Sequence, residues 1–193
     1  IGKEFRQDGT PYYEGEFASG AKHGSGTFFT LNSTPSFQGT LANGVRSGTG
    51  DEYRDDGSLF YSGGWQNDRK HGQGSLFSPD GTKIYVGAFV DDIRIGFGKE
   101  FRDDGSLFYS GQWQNDEHHG DGKYYTREEQ VAYEGEVVAG QRHGHGKEFR
   151  DGGSLYYEGE WQDDAQQGVG VLFHPNGLPY LKGRFTDGIL NGS

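Results

Sequence analysis

A 24-residue period runs through this chain without insertion or deletion, and it restricts the fold more than any other property of the sequence. An aromatic-x-Gly pattern recurs at Tyr13/Gly15, Phe37/Gly39, Tyr61/Gly63, Tyr85/Gly87, Tyr109/Gly111, Tyr133/Gly135 and Tyr157/Gly159, with Leu181/Gly183 as an eighth copy. A second glycine pair keeps the same step from Gly24/Gly26 to Gly168/Gly170, and a third column, Phe5 to Phe173, is always aromatic. A fixed period of this length marks a repeat architecture. Each unit is one supersecondary element that buries its apolar face only by stacking on its neighbours.

Within one unit, Tyr61, Gly63 and Trp65 alternate with Ser62 and Gly64, the period-2 pattern of a strand with one buried face. A polar loop is expected from Gln66 to His71, then a return strand from Gly72 to Phe77. Asp8-Gly9, Asp56-Gly57, Asp80-Gly81 and Asp104-Gly105, with Asn176-Gly177 equivalent, supply the turn into the next unit, because these pairs tolerate positive φ. The glycine between Tyr61 and Trp65 is expected to leave room for a ring from the adjacent strand. No stretch keeps a helical period over three turns. The expected fold is all-β, an elongated single-sheet solenoid of consecutive antiparallel hairpins forming one array over 1–193. Complete hairpins are expected at 13–30, 37–54, 61–78, 85–102, 109–126, 133–150 and 157–174, with half-repeats at 1–6 and 180–193, sixteen strands in all.

Composition removes several function classes. The 193 residues include 36 Gly but also 14 Phe, 12 Tyr and 3 Trp, which is too aromatic for a flexible glycine-rich linker. Cysteine is absent, so there is no disulfide framework, thiolate metal site or cysteine nucleophile. A formal charge of −11, without a Lys/Arg cluster, disfavours nucleic acid and anionic lipid. The chain opens on Ile1 and both ends hold incomplete hairpins, so it is expected to be a slice of a longer array, or else its open edges meet another chain.

The pattern Tyr109-Ser-Gly-Gln-Trp113, a short loop, then His119-Gly-Asp-Gly122 resembles the MORN (membrane occupation and recognition nexus) repeat. The resemblance covers essentially the whole chain. Departures are Ser47, Ile95, Gln167 and Asn191 in place of the His, and Leu41 and Val137 in place of the Trp. It implies a non-catalytic structural scaffold, cytoplasmic and associated with ciliary, cytoskeletal or membrane-contact assemblies. It also leaves open a lipid head-group binder or the regulatory arm of a larger enzyme.

A second period of 48 residues overlies the first. Glu4, Glu52, Glu100 and Glu148 alternate with Phe28, Leu76, Tyr124 and Leu172; Arg6, Arg54, Arg102 and Arg150 alternate with Thr30, Ser78, Thr126 and His174. Recent duplication would produce this, and so would two distinct environments for successive hairpins. In the second case Glu52, Arg54, Glu100, Arg102, Glu148 and Arg150 form a charged flank suited to a repetitive partner.

Catalytic chemistry finds no support in these residues. The pairs Glu14/Glu16, Glu134/Glu136 and Glu158/Glu160 read as a solvated face, and His23, His71, His119 and His143 as corner hydrogen-bonding residues. No Gly-x-Gly enters a helix as a phosphate cradle would. Neither a catalytic residue, a metal site nor a cofactor is expected. Positive charge reads as scattered over Arg6, Lys22, Arg46, Lys70 and Arg142. The expected partner is a protein, or a second copy meeting the groove or the open hairpin edges. The partner-binding residues are expected among Tyr61, Trp65, Tyr85, Phe89, Tyr109, Trp113, Tyr157 and Trp161, because interface hot spots favour Tyr and Trp.

Overall fold

The computed structural model describes residues 1–192; Ser193, the last residue of the half-repeat expected at 180–193, lies outside the described residues. The chain divides into two compact units, Ile1–Arg94 and Ile95–Ser193. Among the described residues there are seventeen strands and no helix. The first unit holds β1 (Gly2–Phe5), β2 (Pro11–Ala18), β3 (Ala21–Phe29), β4 (Pro35–Ala42), β5 (Val45–Tyr53), β6 (Leu59–Gln66), β7 (Arg69–Phe77) and β8 (Lys83–Val90). β9 (Ile93–Phe101) crosses the unit boundary, inside the segment expected as the hairpin 85–102. The second unit continues with β10 (Leu107–Gln114), β11 (Glu117–Tyr125), β12 (Val131–Val138), β13 (Gln141–Phe149), β14 (Leu155–Gln162), β15 (Ala165–Phe173), β16 (Pro179–Thr186) and β17 (Ile189–Gly192). β17 is the one strand beyond the sixteen expected. Within each unit successive strands pair antiparallel.

Two kinds of turn alternate. From β6 to β7 the connection is Asn67-Asp68 alone, with φ of 49° and 66°. Two consecutive positive φ values define the tight turn whose twist matches antiparallel strands, and Asn and Asp adopt them at low cost. The polar loop expected over Gln66–His71 is therefore corrected: Gln66 and Arg69 to His71 are strand residues. The other turn carries the Asp-Gly pairs. Arg54 N–H donates to Ser58 O, Gly57 N–H donates to Arg54 O, and Gly57 takes φ 85°. The Asp56 carboxylate closes the turn by accepting the Ser58 N–H at 2.8 Å.

The glycine columns serve close approach. Gly63 lies opposite Gly74, and a Cβ placed on Gly63 would stand 2.5 Å from the Gly74 Cα. The Tyr61 ring lies flat over both, and its hydroxyl donates to Gly64 O at 2.9 Å. The ring that fills the glycine space thus belongs to the same strand rather than to the adjacent one. A tyrosine can reach a backbone carbonyl three residues on only where no Cβ intervenes. Tyr109, Tyr133 and Tyr157 repeat this bond to the carbonyls of Gln112, Glu136 and Glu160.

The rings then meet edge to face. Tyr61 contacts Trp65 and Phe89 at 5.3 Å in the first unit; in the second, Tyr133 meets Trp161 at 5.5 Å and Tyr157 meets Phe185 at 5.2 Å. These separations and near-perpendicular angles suit the ring quadrupole. The core of each unit is this single aromatic file on one face of the sheet.

Candidate interaction surface

The structure places all eight expected partner-binding rings in that file. Tyr61, Trp65, Tyr85, Phe89, Tyr109, Trp113, Tyr157 and Trp161 are 0–4% exposed. Trp65 Nε1 donates to Gly50 O at 3.0 Å and Trp161 Nε1 to Gly146 O. Cations cover them from outside, Arg46 at 3.9 Å from the Trp65 ring and Arg142 at 4.2 Å from Trp161. In this conformation the rings are a sealed core and offer no open groove.

The charged flank is likewise turned inward. The Glu52 carboxylate pairs with Arg46 at 3.0 Å and Lys70 at 3.1 Å, and Glu148 with Arg142 at 3.3 Å. Arg54 donates to Leu59 O at 2.8 Å and to Phe77 O, one repeat on. Arg102 does the same with Leu107 O and Tyr125 O, and Arg150 with Leu155 O and Phe173 O. Each guanidinium ties the turn of its own repeat to the end of the next return strand. It also stacks on the aromatic side chain six residues on, Phe60, Phe108 or Tyr156, at 4.8–5.0 Å. Successive hairpins therefore occupy different environments, and the 48-residue period has a structural counterpart.

The cations that read as scattered fall into one column. Lys22, Arg46 and Lys70 occupy the second residue of β3, β5 and β7, and Arg142 holds the same place in β13. Three of the four donate a backbone N–H to a turn aspartate of the next repeat: Arg46 to Asp68 at 2.8 Å, Lys70 to Asp92 at 2.9 Å and Arg142 to Asp164 at 3.0 Å. Arg6 belongs instead to the tying set, through Pro11 O and Phe29 O. Lys22, Arg46, Lys70 and Arg142 stand at multiples of the 24-residue step, so the period that sets the hairpins also sets this column.

His118 is its variant member. Its Nε2 lies 2.8 Å from Glu100 and its Nδ1 3.1 Å from the Tyr124 hydroxyl, which donates its own proton to Gly140 O at 2.9 Å. A carboxylate only accepts, so Nε2 donates to Glu100, and the imidazole fills the place that Lys or Arg holds in β3, β5, β7 and β13. It stacks on Tyr109 at 3.7 Å. Burial is the leading cause that raises the Tyr109 and Tyr124 phenols beside it; in the first unit Tyr61, with Asp92 and Glu52 adding to the effect of burial, is pushed up to about 12.

On the opposite face the carboxylate pairs do not converge on a substrate position. Glu14, Glu134 and Glu158 pair with Lys3, Lys123 and Lys147 across the ladder. Glu136 accepts the His145 N–H and Glu160 the Val169 N–H. Among the corner histidines, His143 Nδ1 stands 3.7 Å from Asp163, whereas the buried His71 Nδ1 makes no hydrogen bond. Among the described residues no three His, Cys, Asp or Glu side chains are placed to hold a metal ion. In the first unit this face forms a groove of about 890 Å³, floored by Gly15, Gly26, Gly39 and Gly50 and walled by polar side chains such as Thr27, Gln38, Thr40 and Thr49.

A family model for the MORN repeat matches residues 13–30, 37–59, 61–83, 85–107, 109–127, 133–154 and 157–178. The chain belongs to the MORN-repeat family. MORN repeats serve generally as protein- or membrane-interaction modules and are typically non-catalytic. The seven matched segments begin at the outgoing strands and take in the tight turn and the glycine crossing of each hairpin. No curated protein matches the chain. Among the described residues of this MORN array no helix is long and apolar enough to cross a membrane.

Proposed function

We propose that this MORN array is a non-catalytic scaffold that binds a protein partner within a larger assembly such as a ciliary or cytoskeletal one. One observation carries the reading. The aromatic file is closed by the chain's own cations, while the glycine-floored face of the first unit is open, wide and lined by hydrogen-bonding side chains. Glycine at the floor lets the backbone of an extended segment approach closely, and Thr, Gln and Ser satisfy its polar groups. Lipid head groups find weaker support, because Lys22, Arg46, Lys70 and Arg142 each already carry a carboxylate at 2.7–3.1 Å.

The test is capture from native extract with the intact chain, beside a Thr27→Lys/Thr49→Lys variant of matched circular dichroism. A defined protein held by the first and lost by the second is the expected result. Equal capture by both would remove the groove from the reading, and capture of nothing by either would count against the scaffold itself.

A further inference from the structure

One side chain on the glycine-floored face is out of keeping with its row. The position between the two glycines of each return strand holds Ser25, Thr49, Gln73, Asp121 and His145, yet β9 places Phe97 there with 62% of its surface exposed. Val169 is the other apolar member of the row and is smaller. Beside Phe97 lies a pocket of about 310 Å³, walled by Tyr125 and Asp121 and floored by the backbone of Gly122 and Gly135.

Its electrostatics are unbalanced. Lys123 and Glu134, also in the wall, pair at 3.0 Å and cancel. Asp121 has no ion-pair partner among the described residues and stands directly across the ladder from Glu136. Like charges placed opposite each other destabilise a sheet. The surrounding unit, residues 95–193, holds nine Lys and Arg against seventeen Asp and Glu, so the wider field offers no compensation.

We propose that this pocket receives an arginine side chain from the protein partner. An exposed ring face attracts a cation, and a guanidinium stacks on it more readily than an ammonium does. The same planar group presents parallel N–H donors to a carboxylate, which suits Asp121. The glycine floor admits the partner's backbone on either side of that arginine. This inference rests on the scaffold reading and names the chemistry of the partner.

The probe is a set of blocked tripeptides with central Arg, Lys, citrulline or Leu, titrated into the whole chain while the Phe97 ring and the Gly122 and Gly135 amides are followed by NMR. The arginine peptide is expected to give a saturable response at these three residues. Citrulline, isosteric but neutral, should bind about tenfold more weakly, and Phe97→Ser and Asp121→Asn should each weaken arginine about tenfold. Serine is the residue at the matching place in β3, so the first variant is expected to fold. Should either variant not fold, the arginine-against-citrulline comparison on the unaltered chain decides. Equal binding of citrulline or Leu, a response elsewhere, or none at all overturns the assignment. Extract capture separates the two readings: a partner retained equally by Phe97→Ser overturns this pocket and leaves the scaffold standing. Absence of any partner strikes the scaffold, and the titration alone then judges the pocket.

Discussion

At the scale of single residues, glycine rather than tyrosine sets the tolerance of this array. Gly111 faces Gly122 so closely that a Cβ on it would stand 2.5 Å from the Gly122 Cα and 2.7 Å from the Tyr109 ring. Strand propensity favours valine at such a position, yet Gly111→Val should lower stability by about 3 kcal/mol through overpacking. Urea unfolding of the variant checks this, and an unchanged midpoint contradicts it. The need for glycine was legible in the sequence; the identity of the ring it accommodates was not. Tyr109 lies over its own strand because its hydroxyl reaches Gln112 O, a bond that a column of aligned letters does not encode.

At the scale of the hairpin, the arginines of alternate repeats tie neighbours together. Arg102 reaches Leu107 O, Tyr125 O and Thr126 O, three acceptors that lysine cannot span at once. Arg102→Lys should therefore cost about 2 kcal/mol and speed amide exchange in the Thr126–Gln130 turn. Arg127→Lys, whose pair with Asp104 is largely exposed, should change stability by less than about 0.5 kcal/mol. Comparable losses in the two variants would defeat the argument. Strand periods, Asp-Gly turns and the two faces could all be read from alternation and spacing. The tight turn was misjudged because Gln66 to His71 looks uniformly polar, and only the paired positive φ of Asn67 and Asp68 separates turn from strand. The charged flank and the scattered cations look like free surface in the sequence because composition does not show their pairing: Glu52 meets Arg46 across a strand bend and Lys70 from the next hairpin, and Arg54 reaches Phe77 O a repeat on.

At the scale of the whole molecule, the buried phenols link stability to alkali. Tyr61 and Tyr157 are raised from about 10 to about 12, burial being the first cause, and Tyr109, Tyr124 and Tyr133 are raised as well. The native state keeps these protons where the unfolded chain loses them. Stability is thus fully present below pH 10 and falls as pH rises through 10 to 12. Urea midpoints at stepped pH, read beside phenolate absorbance, should decline together across that window; a flat midpoint would refute the linkage. The Gly63–Gly74 crossing has a further consequence, one that belongs to heredity. A single-residue insertion in a strand would swap ring and polar faces for everything beyond it, so such an allele should be lost. Gene copies that gain or lose 24 codons keep every crossing, and those that change by 48 also keep each arginine opposite the carbonyls it binds. Descent can therefore lengthen or shorten this chain only in whole steps, and the even steps are the gentler ones.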